Sequence, residues 1–195
     1  MELTPADVAA ARAELIASIK EYAITYGDFV LKSGAHSTWF IDTKRAICRP
    51  PTLFRTAQLT LAALADEVTT IGGLTMGADP IAFATAAIAQ ADGRNLGAFS
   101  VRKEPKEYGQ GGRIAGNLTE RDRVCVVEDT PSRGTSLKAA IEAVEATGAR
   151  VVQTLAIVDR GGSASWVVAP VPFVALITAP DLGLPYEGGL EFEHS

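Results

Sequence analysis

Apolar residues recur along this chain at two different periods, and the switch between them predicts its organisation. Near the N-terminus Val8, Ala11, Leu15, Ile19, Tyr22 and Tyr26 follow one another at helical spacing and make one apolar stripe. Thr4-Pro5-Ala6-Asp7 supplies a start for that helix: a hydroxyl able to cap, a proline in the first turn and a carboxylate near the positive end of the dipole. The stripe predicts an end near Gly27. Phe29-Val30-Leu31-Lys32 and Thr38-Trp39-Phe40-Ile41-Asp42 are then rich in strand formers. They flank the turn-type run Ser33-Gly34-Ala35-His36-Ser37, which predicts a small hairpin. After Pro50-Pro51 the helical period returns through Leu53, Ala57, Leu61, Leu64 and Val68.

From there strands and helices alternate. Residues 70–76 read as a buried strand, 77–80 as a turn, 81–91 as a helix and 96–101 as another strand. A third strand covers 124–127, a helix 135–147 carries Leu137, Ile141 and Val144 on one face and stops at Gly148, and a fourth strand runs over 150–158. Such alternation predicts an α/β fold, a mostly parallel twisted sheet flanked by helices, with ligands at the carboxyl ends of the strands. Residues 102–116 are long for a connection, polar and glycine-containing (Gly109, Gly111, Gly112, Gly116), and have no apolar period, which predicts a lid.

Composition narrows the function classes. A chain of 195 residues suits one well-buried core and so one domain. A net charge of -5 argues against a protein that coats nucleic acid, although Arg102, Lys103, Lys106 and Arg113 gather cations locally, where an anionic small molecule would feel them. Cys48 and Cys125 are far apart, Cys125 lies in the apolar run 124–127, and no disulfide framework is implied. With two histidines and no Cys or His cluster, a structural zinc site is not expected. Neither a targeting segment nor a membrane-spanning run of roughly 20 apolar residues is present, so the expected location is cytoplasmic.

The chemistry concentrates in Val126-Val127-Glu128-Asp129-Thr130-Pro131-Ser132-Arg133-Gly134-Thr135-Ser136. A buried strand delivers two carboxylates to its carboxyl end, able to accept hydrogen bonds from vicinal sugar hydroxyls. Hydroxyl residues and a glycine then lead into a helix, whose free N–H groups and dipole can surround a phosphate. Together they suit a ribose 5-phosphate. The plainer alternative is that Glu128 and Asp129 cap the helix and the glycine turns the chain. Neither a P-loop nor a dinucleotide-binding glycine pattern occurs.

The acidic pair, hydroxyl-rich loop, glycine and helix resemble the phosphoribosyl pyrophosphate signature of type I phosphoribosyltransferases. Three further stretches resemble the orotate phosphoribosyltransferases within that family. They are the hairpin 31–40, the loop Gly73-Leu74-Thr75-Met76-Gly77-Ala78-Asp79-Pro80-Ile81-Ala82, and the lid Val101-Arg102-Lys103-Glu104-Pro105-Lys106-Glu107-Tyr108-Gly109. The resemblance implies a single domain over residues 1–195, with a core of about 51–162 and a small hood from residues 1–50 and about 163–195. It implies transfer of the 5-phosphoribosyl group from phosphoribosyl pyrophosphate to orotate, giving orotidine 5'-phosphate and pyrophosphate in UMP biosynthesis.

By that resemblance Glu128 and Asp129 meet the ribose hydroxyls, and Thr130, Ser132, Arg133, Gly134 and Thr135 surround the 5-phosphate. Arg102, Lys103 and Lys106 hold the pyrophosphate and, with Asp129, carry catalysis, while Lys32 reaches the bound ligands. Phe40 packs on orotate beside Thr130, and Arg160 faces its carboxylate, which a guanidinium fork fits. Mg²⁺ is implied near Glu128 and Asp129, held mainly by substrate and water and not directly by protein; so is a homodimer sharing its lids. A phosphoribosyltransferase for another base and a non-catalytic phosphoribosyl pyrophosphate-binding regulator are the alternatives.

The chain departs from the family pattern twice. Ser132-Arg133 stands where paired threonines are usual, and Tyr108 where many members have His. Ser132 keeps a hydroxyl; Arg133 either adds a cation beside the phosphate or projects into solvent, the latter being slightly favoured. Lys103 and Lys106 also read as a solvated charge run, His36 as exposed, Trp39 as core or subunit interface, and Phe40 equally as core.

Overall fold

The computed structural model describes residues 3–30, 36–105 and 112–187. Helix α1 spans Pro5–Tyr22, and its start is the expected one: Thr4 and Asp7 cap each other's backbone, and Ala11, Leu15 and Ile19 are buried. It stops a turn before Gly27. Strand β1, Ile24–Val30, begins almost at once and pairs antiparallel with β2, His36–Ile41, setting Tyr26 opposite Trp39. Tyr26 is 71% exposed and so takes no part in the helical stripe. Cross-strand pairing of β-branched and aromatic residues overrides the local period here. Trp39 is core and His36 is exposed, as read from sequence.

A short helix α2, Lys44–Ile47, leads to α3, Pro50–Ala63. Leu64 and Val68, expected on that helix, lie beyond its end yet are buried. The main sheet holds β3 (Thr70–Leu74), β4 (Gly97–Val101), β5 (Ile114–Gly116), β6 (Arg123–Glu128), β7 (Arg150–Asp159) and β8 (Phe173–Thr178), ordered β5-β4-β3-β6-β7-β8. All neighbours are parallel except β5, which runs antiparallel to β4. Three helices complete the frame: α4 (Asp79–Ala91), α5 (Thr135–Glu145) and the short α6 (Ala164–Val167).

Alternate residues of β6 feed two separate cores. Cys125 and Val127 join the cluster with α1, α3 and α4, whereas Val124 and Val126 join the one with α5. A strand covered on both faces reads as a continuous apolar run, which is why this stretch shows no alternation. The first strand of the series ends at Leu74 and not at residue 76: Thr75 Oγ1 donates to Asp79 Oδ2 at 2.6 Å and turns the chain into α4. Part of the expected lid is strand β5, and the segment expected to complete the hood contributes β8 to the main sheet. No described helix is long and apolar enough to cross a membrane.

Candidate active site

The carboxyl ends of β6 and β7 open on a cavity of about 720 Å³, within the size range of small-molecule sites. The loop after β6 is held open by backbone contacts and not by a core of its own. Val158 N–H donates to Asp129 O at 3.0 Å and Arg160 N–H to Pro131 O at 3.0 Å. Gly134 caps α5 at φ 71, a left-handed conformation, and a Cβ there would come within 3.1 Å of Ala164. No side chain of the cap closes that helix N-terminus, and Ser132, Arg133, Gly134, Thr135 and Ser136 line the cavity. Arg133 is exposed while lining it.

The two adjacent carboxylates are held in different ways. Glu128 lines the cavity next to the first turn of α5, and keeps Oε2 buried without a hydrogen-bond partner. Burial, and after it the charge of Asp129, pushes its pKa up to about 7, against the opposing pull of the Ser136 contact and Arg160. Glu128 thus presents a carboxyl to the cavity beside the start of α5. Asp129 turns away from the lining. Its Oδ2 accepts from Thr43 Oγ1 at 2.8 Å and Lys44 Nζ at 3.2 Å. A Cβ on Gly77 would collide with this carboxylate, so the 73–82 loop packs directly against the acidic pair.

Across the cavity, Phe40 is 41% exposed and stacks at a tilt on Phe29 with ring centroids 5.8 Å apart, so it is a cavity wall and not core. Thr130 lines the cavity below the hairpin, its Oγ1 2.7 Å from that of Thr43. Arg160, just past β7, is an ion-pair partner of Glu187, Nε to Oε2 at 3.1 Å, without good hydrogen-bond alignment. Ser132 Oγ donates to the same Oε2 at 3.2 Å, and Glu187 is nearly fully buried.

Arg102 and Lys103 stand exposed after β4 and do not line this cavity. Arg102 is tied to Arg113 through backbone, N–H to O at 2.7 Å. Lys32, Lys106 and Tyr108 lie outside the described residues. Sequence reasoning passed over Thr43, Lys44 and Glu187. The first two follow a strand with no periodic signal and Glu187 sits in a polar tail, so each acquires its neighbours only through folding. Among the described residues no cluster of three His, Cys, Asp or Glu side chains could hold a metal ion.

No protein-family model matches the chain. An orotate phosphoribosyltransferase of Corynebacterium glutamicum is 41% identical over 179 residues, covering 90% of this chain and 96% of that one. The chain belongs to the orotate phosphoribosyltransferase family. The fold agrees: a crystal structure of the Mycobacterium tuberculosis orotate phosphoribosyltransferase matches with a TM-score of 0.78 at 35% identity, covering 89% of this chain and 99% of that one. The same enzyme in complex with phosphoribosyl pyrophosphate matches with a TM-score of 0.75 at 32% identity, over 89% and 99% of the two chains. This membership makes the protein an enzyme of small-molecule substrates with the type I phosphoribosyltransferase fold.

Proposed function

We propose that the cavity joins phosphoribosyl pyrophosphate to orotate, with the donor at the β6–α5 turn and the base between Phe40 and Arg160. The observation that carries this reading is the Glu128 carboxylate, next to Asp129, beside a glycine-capped helix N-terminus, with an aromatic wall and a guanidinium facing them across one cavity. Helix N–H groups and the hydroxyls of Thr130, Ser132 and Thr135 take the 5-phosphate. Glu128 and Asp129 take the ribose hydroxyls. Thr130 and Phe40 face the ring, and Arg160 its carboxylate.

Departure of pyrophosphate leaves positive charge on the ribose, so the leaving group must be neutralised while the base is held in line. Arg102, Lys103 and Lys106 are assigned that neutralisation, with Lys32 reaching the bound ligands, and lid closure would exclude water. The acidic pair fits Mg²⁺ chemically: both groups are hard oxygen donors, and Glu128 Oε2 has no hydrogen-bond partner. Bound there mainly through substrate and water, the ion would supply charge neutralisation at the pyrophosphate. In this reading two copies associate and share their lids, which sedimentation would register as a dimer.

The test is direct. Protein, phosphoribosyl pyrophosphate and Mg²⁺ are mixed with orotate or with a purine base, and the orotate absorbance is followed. Loss of orotate absorbance dependent on the donor is expected; turnover with a purine alone would overturn the assignment.

A further inference from the structure

We propose that Lys44 is a positioning residue for the transfer reaction, clamping the Asp129 carboxylate at the end of β6 to the hairpin that presents Phe40. The inference rests on the reading of Asp129 as a ribose-binding group. Lys44 opens α2, four residues after Phe40, and its Nζ lies 2.8 Å from Asp42 Oδ1 and 3.2 Å from Asp129 Oδ2. Thr43, fully buried, donates to the same Asp129 oxygen at 2.8 Å. A hydroxyl has a single proton. The Thr43 proton goes to the carboxylate, so the 2.7 Å contact with Thr130 is one in which Thr130 donates and Thr43 accepts. Thr130 thereby has its proton committed and its lone pairs turned to whatever the cavity holds.

Asp129 is thus fixed from two sides. Two donors from the segment just after the hairpin grip Oδ2, while the Gly77 backbone packs so closely on Oδ1 that no side chain fits between them. Lys44 and Asp129 are 85 residues apart in sequence, and these contacts tie the end of the hairpin to the acidic pair. They also distribute charge. Of the two neighbouring carboxylates, Asp129 has Lys44 beside it and Glu128 has Arg160 acting on it, so a polyanionic donor approaches groups that already have cationic partners. The Lys44 side chain is 42% exposed and that of Asp129 14%, so solvent screens the pair from the lysine side and its contribution to stability is modest. Its removal should therefore appear in kinetics and not in melting.

Steady-state kinetics on the full chain separate the possibilities. Lys44→Met is expected to raise KM for phosphoribosyl pyrophosphate roughly ten- to a hundredfold, the effect of losing a charge-assisted hydrogen bond. KM for orotate and the melting temperature should stay near wild type. Lys44→Arg should restore most of the donor affinity, because it keeps the cation. Thr43→Val, which removes the second donor and no charge, should move the same constant by less, and it carries the test if Lys44→Met fails to fold. A wild-type donor KM in Lys44→Met, or equal defects in the Met and Arg variants, overturns the proposal. Wild-type protein without orotate turnover would remove the proposed function instead, so the two failures are distinguishable.

Discussion

The two ends of the cavity are built on different principles. At the β6–α5 end every contributing group comes from one uninterrupted stretch, from Glu128 to Ser136, shaped by a glycine in the left-handed region and by a helix N-terminus. The opposite end is assembled from Phe29 and Phe40 on the hairpin, Arg160 after β7 and Glu187 near the C-terminus. A site made from consecutive residues inherits its geometry from backbone conformation. A site made from distant residues inherits it from packing and ion pairing, and it can change by single substitutions without disturbing the β6–α5 turn.

The largest effect is expected where backbone decides. Gly134→Val forces a β-branched residue to φ 71 and drives its Cβ against Ala164 and Val167. Turnover should fall at least about a hundredfold through displacement of the groups proposed to hold the 5-phosphate, with circular dichroism near wild type. An active Gly134→Val would show that this end does not depend on the turn.

At the assembled end the effect should be intermediate and selective. Arg160→Ala is expected to lower kcat/KM for orotate roughly ten- to a hundredfold while leaving KM for phosphoribosyl pyrophosphate unchanged. It also strands the buried Glu187 carboxylate, so the melting temperature should drop; adding Glu187→Ala should recover part of that drop without recovering orotate affinity. Equal losses toward donor and base would erase the distinction between the two ends.

The smallest effect concerns the boundary between them. The Glu128 carboxyl is raised from 4.5 to about 7 in the folded protein, chiefly by burial. Between those values the folded state binds a proton that the unfolded chain has already released, so this group's contribution falls as pH rises from 4.5 to 7 and levels off above. Glu128→Gln removes the titration. Its unfolding free energy, followed by denaturant titration, should gain on wild type as pH increases across that window, by an amount on the order of 1–3 kcal/mol at most. Parallel pH profiles for the two proteins would show that Glu128 is solvated as an ordinary surface carboxylate.

Much of the molecule is decided locally and was therefore legible. The capping pair Thr4 and Asp7, the apolar run 124–127, the turn at Gly134 and the helix that follows each depend on residues a few positions apart, and spacing and composition register them directly. The helical stripe ran on to Tyr26 by coincidence of spacing, and only the partner strand with Trp39 shows why the helix yields at Tyr22. The short β8 and β5 were not read as strands; each takes its place beside a longer neighbour already in the sheet. Lys44 beside Asp129, Glu187 against Arg160 and Gly77 under the acidic pair are products of tertiary structure alone. A contact across 85 residues leaves no period in the sequence, because it depends on how whole elements pack and not on the torsions of the residues that make it.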